Sequence, residues 1–299
     1  MRNSIIFAGM LLLAASCSNE NESVEQFVDN QAFAPVTIRV SDFSMSFENL
    51  TSTTQTRSTD VASYNGLKVI TLAFYSGDTK VYESTQLRAD ETTYTTFGHF
   101  SCNLPIGSYK MVVIGRDLSD GDIFTLTSPT EAAYTSEKVR ETFSAVQDVT
   151  ISNSSAQNLT VTLSRVVSML KIVSNDNRTA EAAQIKTTFS AGGKSFNPST
   201  GLATSDEGFW VINHPSTAVG ATISVFSYAF LTTDEQEMDI TLEIQDADGN
   251  TLFTKFIPNV ILKRNRKTTL TGPVFTPTSV ANSSFSVDTD WLDELFVTF

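Results

Sequence analysis

Two cysteines, two histidines and a few clustered carboxylates carry most of the reactive chemistry of this 299-residue chain. Cys17 closes the stretch LAASC, where a thiol can be alkylated by a diacylglycerol before the preceding residues are cut away; the alternative is an ordinary cleavage site beside a cysteine. Cys102, in HFSCNLPIG, reads as a small buried hydrophobe. With Cys17 acylated it has no partner, which excludes a disulfide framework. His99 and His214 have no cysteine or acid near them at metal-ligand spacing, so zinc chemistry is not expected. The DADGN stretch from Asp246 to Asn250 carries its glycine at the fourth position and lacks a closing glutamate, so it reads as a hairpin turn and not a calcium loop. Asp117, Asp120 and Asp122 in RDLSDGD read as a polar turn, with weak cation binding as the alternative. No GxSxG, P-loop or GxGxxG stands between a strand and a helix. Nor is there a concave framework to hold two carboxylates at the ~5–10 Å separation that glycoside hydrolysis needs. The expectation is a protein with no catalytic residues, no cofactor and no metal.

The chain begins with Arg2, an apolar run from Ile5 to Ala15 and small residues ending at Ser16, the three regions of a secretory signal peptide over 1–16. The run is well short of the ~20 residues that span a bilayer as a helix. Two or three acyl chains on Cys17, at about 0.8 kcal/mol per buried methylene, would anchor the mature chain stably. Residues 17–34 open with SNENESVEQF, polar and acidic, and read as a flexible tether. Such an acidic stretch after a lipidated cysteine resembles an outward-export signal, so the expected location is the cell outer membrane, facing the medium. Loss of the leader removes Arg2 and no acid, moving the formal charge from −13 to −14. That surface repels phosphate backbones and excludes nucleic acid as a partner. Lys263, Arg264, Arg266 and Lys267 form the one basic run and read as a solvated strand end.

Whatever these residues do, strands must position them. Short runs rich in Val, Ile, Thr, Phe and Tyr alternate with Gly, Asn, Asp and Ser clusters. From Met238 to Ile244 the alternation is clean, with Met238, Ile240, Leu242 and Ile244 on one face. DADGN and a second run from Leu252 to Ile257 complete a hairpin pattern. In Val36 to Phe47 the apolar parity switches after Val40, which calls for a bulge near Ser41 and Asp42. Helical periodicity is confined to Glu137–Val146, where Val139, Phe143 and Val146 share a face. The expected fold class is all-β, with one or two short helices, in two sandwiches over 35–158 and 159–299.

Four segments together resemble the fimbrillin family, the two-domain pilus subunits of Bacteroidetes, in particular its anchor and tip lipoproteins. They are LKVITLAFYSGDTKVYES (67–84), LPIGSYKMVVIG (104–115), LTVTLSRVVSMLKIV (159–173) and LEIQDADGNTLFTKFIPNVILKRNRKTTLTG (242–272). The resemblance implies two transthyretin-like sandwiches, other fimbrial subunits as partners, and assembly by strand exchange, in which a groove in one subunit accepts an extended segment of the next. Phe285, Val287, Trp291, Leu295, Val297 and Phe299 share one parity at the end of the chain and are the strand-exchange candidates. The alternative is a last edge strand that stays in its own sandwich. Arg57, in the apparent loop TSTTQTRSTD, stands where polymerising fimbrillins are cut to release their first strand, and is otherwise a solvated arginine. The function implied is a structural and adhesive subunit of a surface fimbrium. The second reading is a glycan-binding surface lipoprotein, with Phe209 and Trp210 of DEGFWVINHP stacking on host or bacterial sugars.

Overall fold

The computed structural model describes residues 32–48, 54–60, 64, 66–88, 96–277 and 285–291. The expected signal peptide, Cys17 and nearly all of the expected tether lie outside them. The first ten strands are β1 (Phe33–Glu48), β2 (Thr54–Asp60), β3 (Val69–Ser76), β4 (Thr79–Leu87), β5 (His99–Pro105), β6 (Gly107–Arg116), β7 (Phe124–Ser128), β8 (Glu131–Tyr134), β9 (Thr142–Ile151) and β10 (Gln157–Arg165). All but β7 and β8 join one sheet in the order β2-β1-β10-β9-β6-β3-β4, with β5 also on β1. β9 and β10 meet only at the pairs Phe143–Arg165 and Ser144–Ser164. On either side of this narrow junction the strands enclose one core, with Val36, Ile38, Phe100, Val161 and Leu163 against Ile70, Leu72, Phe74, Met111 and Val113.

The remaining strands are β11 (Ser168–Ser174), β12 (Gln184–Phe189), β13 (Ser195–Phe196), β14 (Phe209–Asn213), β15 (Ser224–Ala229), β16 (Glu235–Gln245), β17 (Thr251–Lys263), β18 (Arg266–Gly272) and β19 (Ser286–Trp291). They form two four-stranded sheets, β15-β11-β18-β19 and β14-β12-β16-β17. Leu170, Ile172 and Leu270 of one pack with Ile185, Val211, Ile240, Leu242 and Ile244 of the other. This is β-sandwich packing, and the alternation read from Met238 to Ile244 buries the four residues it should.

A third core lies between the two halves. Ala73, Tyr75, Val112 and Ile114 on the outer side of β3 and β6 meet Leu126, Ala132 and Tyr134 of the β7–β8 hairpin, and Phe196 and Phe230 from the second half. The ring pair Phe196–Phe230 stacks at 4.3 Å, and β13 pairs with β8 across the junction. β3 is therefore buried on both faces along nearly its whole length.

The expected short helices are absent: the described residues contain no helix. The segment taken for one, Glu137 to Val146, runs into β9, which pairs with β6 along its full length from Thr142 to Ile151. Its Thr142, Val146, Val149, Thr150 and Ile151 are β-branched and stiff at χ1, and the ladder to β6 overrides the weak helical spacing. TSTTQTRSTD also differs from expectation: residues 54–60 are a strand paired with β1 and not a loop. Leu262 to Phe275 divides into β17 and β18 at Arg264-Asn265, with Asn265 at φ 59°, so the basic run forms a corner between the two sheets. The bulge foreseen near Ser41 and Asp42 is present as a register shift between Val40 and Asp42.

Candidate functional site

β1 is the unusual strand. From Phe33 to Arg39 it pairs antiparallel with β5, and from Asp42 to Glu48 with β2. Along its other edge, from Val36 to Ser44, it lies parallel to β10. Backbone groups on both edges are thus satisfied by its neighbours. Ala34, Val36, Ile38 and Val40 point inward and are 0–2% exposed, while Phe33, Pro35, Thr37 and Arg39 face out. The walls around them are Phe100, Cys102 and Leu104 on β5 and Leu159, Val161 and Leu163 on β10. With these four alternate side chains sunk between two neighbouring strands, the first part of β1 is a peg in a slot, and the slot exists because β5 and β10 do not pair with each other.

Cys102 lies directly opposite Val36. Burial against this core pushes its thiol up to about 12, which leaves it protonated and unreactive, as the apolar flanks implied. Arg57 pairs with Met45 through the β2–β1 ladder; only its place in the strand is described.

The end of the chain is built differently. β19 pairs with β18 from Ser286–Thr271 to Trp291–Arg266 and has no neighbour on its other edge among the described residues. Phe285 packs on the second core above Gly272, where a Cβ would come within 2.6 Å of its ring. Phe285, Val287 and Trp291 thus sit in or beside an edge strand of their own sandwich, whereas Leu295, Val297 and Phe299 lie outside the described residues.

The two halves are joined by a buried polar relay. Arg165, the last residue of β10, places its guanidinium 2.7 Å from the Glu141 carboxylate and donates to Asn265 Oδ1 at 3.0 Å. The Tyr64 hydroxyl donates to Glu141, and burial pushes that hydroxyl's pKa far above its ordinary value. A polar cleft of about 810 Å³ opens beside Arg165. Its rim cations are engaged by protein: Lys263 with Glu235 at 2.8 Å and Arg264 with Asp234 at 2.6 Å.

Three of the acids set aside in the sequence, Asp117, Asp122 and Asp246, have protein partners. Asp122 receives Nε and Nη2 of Arg140 at 2.7 and 2.8 Å, and Asp117 lies 2.9 Å from Lys68. Asp246 accepts from the side-chain amide of Asn250 and from the backbone of Asn250 and Asp248, which holds its carboxyl below the usual range and shapes the β16–β17 turn. His99 and His214 are exposed, one on each half, and no three metal-ligating side chains come together among the described residues. Phe209 stacks on Phe189 at 4.6 Å, half-buried, while Trp210 is 43% exposed.

A first half whose opening strand lies between β5 and β10, followed by a β-sandwich with β19 at the edge of one sheet, gives the class of fold. The particular family follows from comparison: residues 35–298 match the profile of a family of unknown function, DUF6562, and the chain belongs to it. No curated protein matches the sequence. Among solved structures, a candidate polysaccharide binding protein (DUF1812) from Bacteroides thetaiotaomicron is 10% identical with a TM-score of 0.50, covering 87% of this chain and 99% of that one. What is shared with it is the fold. A candidate adhesin from Bacteroides ovatus is 12% identical with a TM-score of 0.49, covering 91% and 100%. The fimbrial anchor protein Mfa2 from Porphyromonas gingivalis is 10% identical with a TM-score of 0.45, covering 86% and 95%.

Proposed function

We propose that this chain is a non-enzymatic, adhesive subunit of a surface fimbrium, anchored in the outer membrane through an acylated Cys17 and joined to other subunits by strand exchange. The observation that carries the proposal is β1, an amphipathic strand sunk between β5 and β10 and able to be replaced by any extended segment with the same alternation. Uncut, the chain keeps its own slot closed and stays tethered. Cut after Arg57, it can lose β1 and offer the slot to residues 285–299 of a neighbour, whose Phe285, Val287, Trp291, Leu295, Val297 and Phe299 repeat that alternation. Fimbrial and adhesin structures among its neighbours support this reading, as does the lipoprotein-type leader.

Mass spectrometry of sheared filaments and of the membranes left behind tests it. An acylated Cys17 in the membrane fraction, or a chain starting at Ser58 within filaments, is the expected result. A Cys17→Ala chain should leave the membrane fraction, and a chain lacking residues 285–299 should stay attached but not assemble. Absence from filaments, with no effect of deletion on them, would overturn the assembly role.

A further inference from the structure

Trp210 belongs to a second surface, on the outer face of the β14-β12-β16-β17 sheet. Strand register aligns Trp210 with Thr188, Thr188 with Thr241 and Thr241 with Phe256. The row runs straight across four strands, with an exposed ring at each end, Trp210 at 43% and Phe256 at 52%, and two threonine hydroxyls between them. At about 4.8 Å per strand the rings stand roughly 14 Å apart. The adjoining row is Ile212, Lys186, Glu243 and Thr254. In it the Lys186 ammonium lies 3.0 and 3.3 Å from the Glu243 carboxylate oxygens and 5.7 Å from the centroid of the Trp210 ring. Lys186 thus steadies one side of the indole by a cation–π contact.

We propose that this face binds a neutral oligosaccharide, laid along the row with one sugar ring against Trp210 and another against Phe256. Aromatic rings receive the apolar C–H faces of pyranose rings, and threonine hydroxyls both donate and accept toward sugar hydroxyls. The charge of the site selects a neutral ligand. Lys186 and Glu243 neutralise each other, and the protein around them has a formal charge of −13, which repels uronates and sulfates. The row itself favours a narrow ligand: two separate rings about 14 Å apart with only hydroxyls between them suit a chain of sugars that reaches from one ring to the other. The site is independent of β1, and its failure would leave the fimbrial proposal standing.

Affinity electrophoresis of the mature protein in gels containing xylan, mannan or a soluble β-glucan, with polygalacturonate as the acidic counterpart, tests the proposal. Retardation by at least one neutral polysaccharide is expected, weakened tenfold or more in Trp210→Ala and in Phe256→Ala, and unchanged in Phe226→Ala, an exposed aromatic on the other sheet. Trp210→Phe should retain part of the binding, which separates loss of a stacking ring from loss of folding. No retardation by any neutral polysaccharide, retardation by polygalacturonate alone, or equal retardation of a Trp210→Ala/Phe256→Ala chain would overturn it.

Discussion

β1 and β19 both carry alternating apolar residues and lie toward opposite ends of the chain, yet they are held in opposite ways. β1 has neighbours on both edges and four side chains in the core, whereas β19 is bonded on one edge only. A strand held on both edges defines a slot, because removing it opens two ladders and an apolar trough at once. A strand held on one edge can leave its sheet at small cost and extend a partner's. The N-terminal half is therefore the acceptor in this account and the C-terminal end the donor.

Charge placed in the slot should separate the two ends most strongly. Ile38→Asp buries an unpaired carboxylate in the first core and should lower stability by about 4 kcal/mol or more. A chain lacking residues 285–299 should lose no more than about 2 kcal/mol. Urea denaturation of both checks the difference, and equal losses would erase the distinction.

At the junction between the halves, Glu141→Ala leaves Arg165 buried without its carboxylate and should cost about 3–5 kcal/mol. Because Tyr64 follows β2 and donates to the same carboxylate, its phenol should become more exposed in this variant, as second-derivative absorbance would report. Gly272→Ala is a milder perturbation: the new methyl displaces Phe285 and should loosen β19 by about 1 kcal/mol, seen as faster hydrogen exchange in β19 with no change in β1.

A last prediction concerns pH, and its effect is small at neutral pH. The thiol of Cys102 is raised from 9.0 to about 12 in the folded protein, so folding favours its protonated form. That stabilisation is complete below pH 9.0 and is lost as pH rises toward 12. Stability should decline across this window, to which the Tyr64, Tyr75, Tyr134 and Tyr228 hydroxyls, also raised by burial, contribute, and Cys102→Ser should make the decline less steep.

Much of this was legible from residue patterns and some was not. The alternation of Met238 to Ile244, the Asp246 turn and the bulge after Val40 follow from period two and turn chemistry, because each involves one buried face. β9 was hidden because Val139, Phe143 and Val146 also fit a helical stripe, and only the ladder to β6 decides between them. β3 hid its two-sided burial, since the third core is made by strands distant in sequence. Phe256 was equally opaque: in LFTKFI the apolar residues occupy both parities, and it is Lys255 that turns inward, donating to the Thr276 carbonyl at 2.5 Å. The aromatic row thus became visible only through register. The slot could not be read from β1 alone, because nothing in its sequence says that β5 and β10 leave a gap.

The acceptor role of the slot is tested most directly by the alkylation rate of Cys102 in a Cys17→Ala chain, measured intact, after cleavage behind Arg57 with removal of β1, and after addition of a peptide of residues 285–299. A slow rate is expected in the intact chain, a rise of at least tenfold when β1 is gone, and a return to the slow rate with the peptide bound. A rate that does not change on removal of β1, or that the peptide fails to suppress, would contradict it.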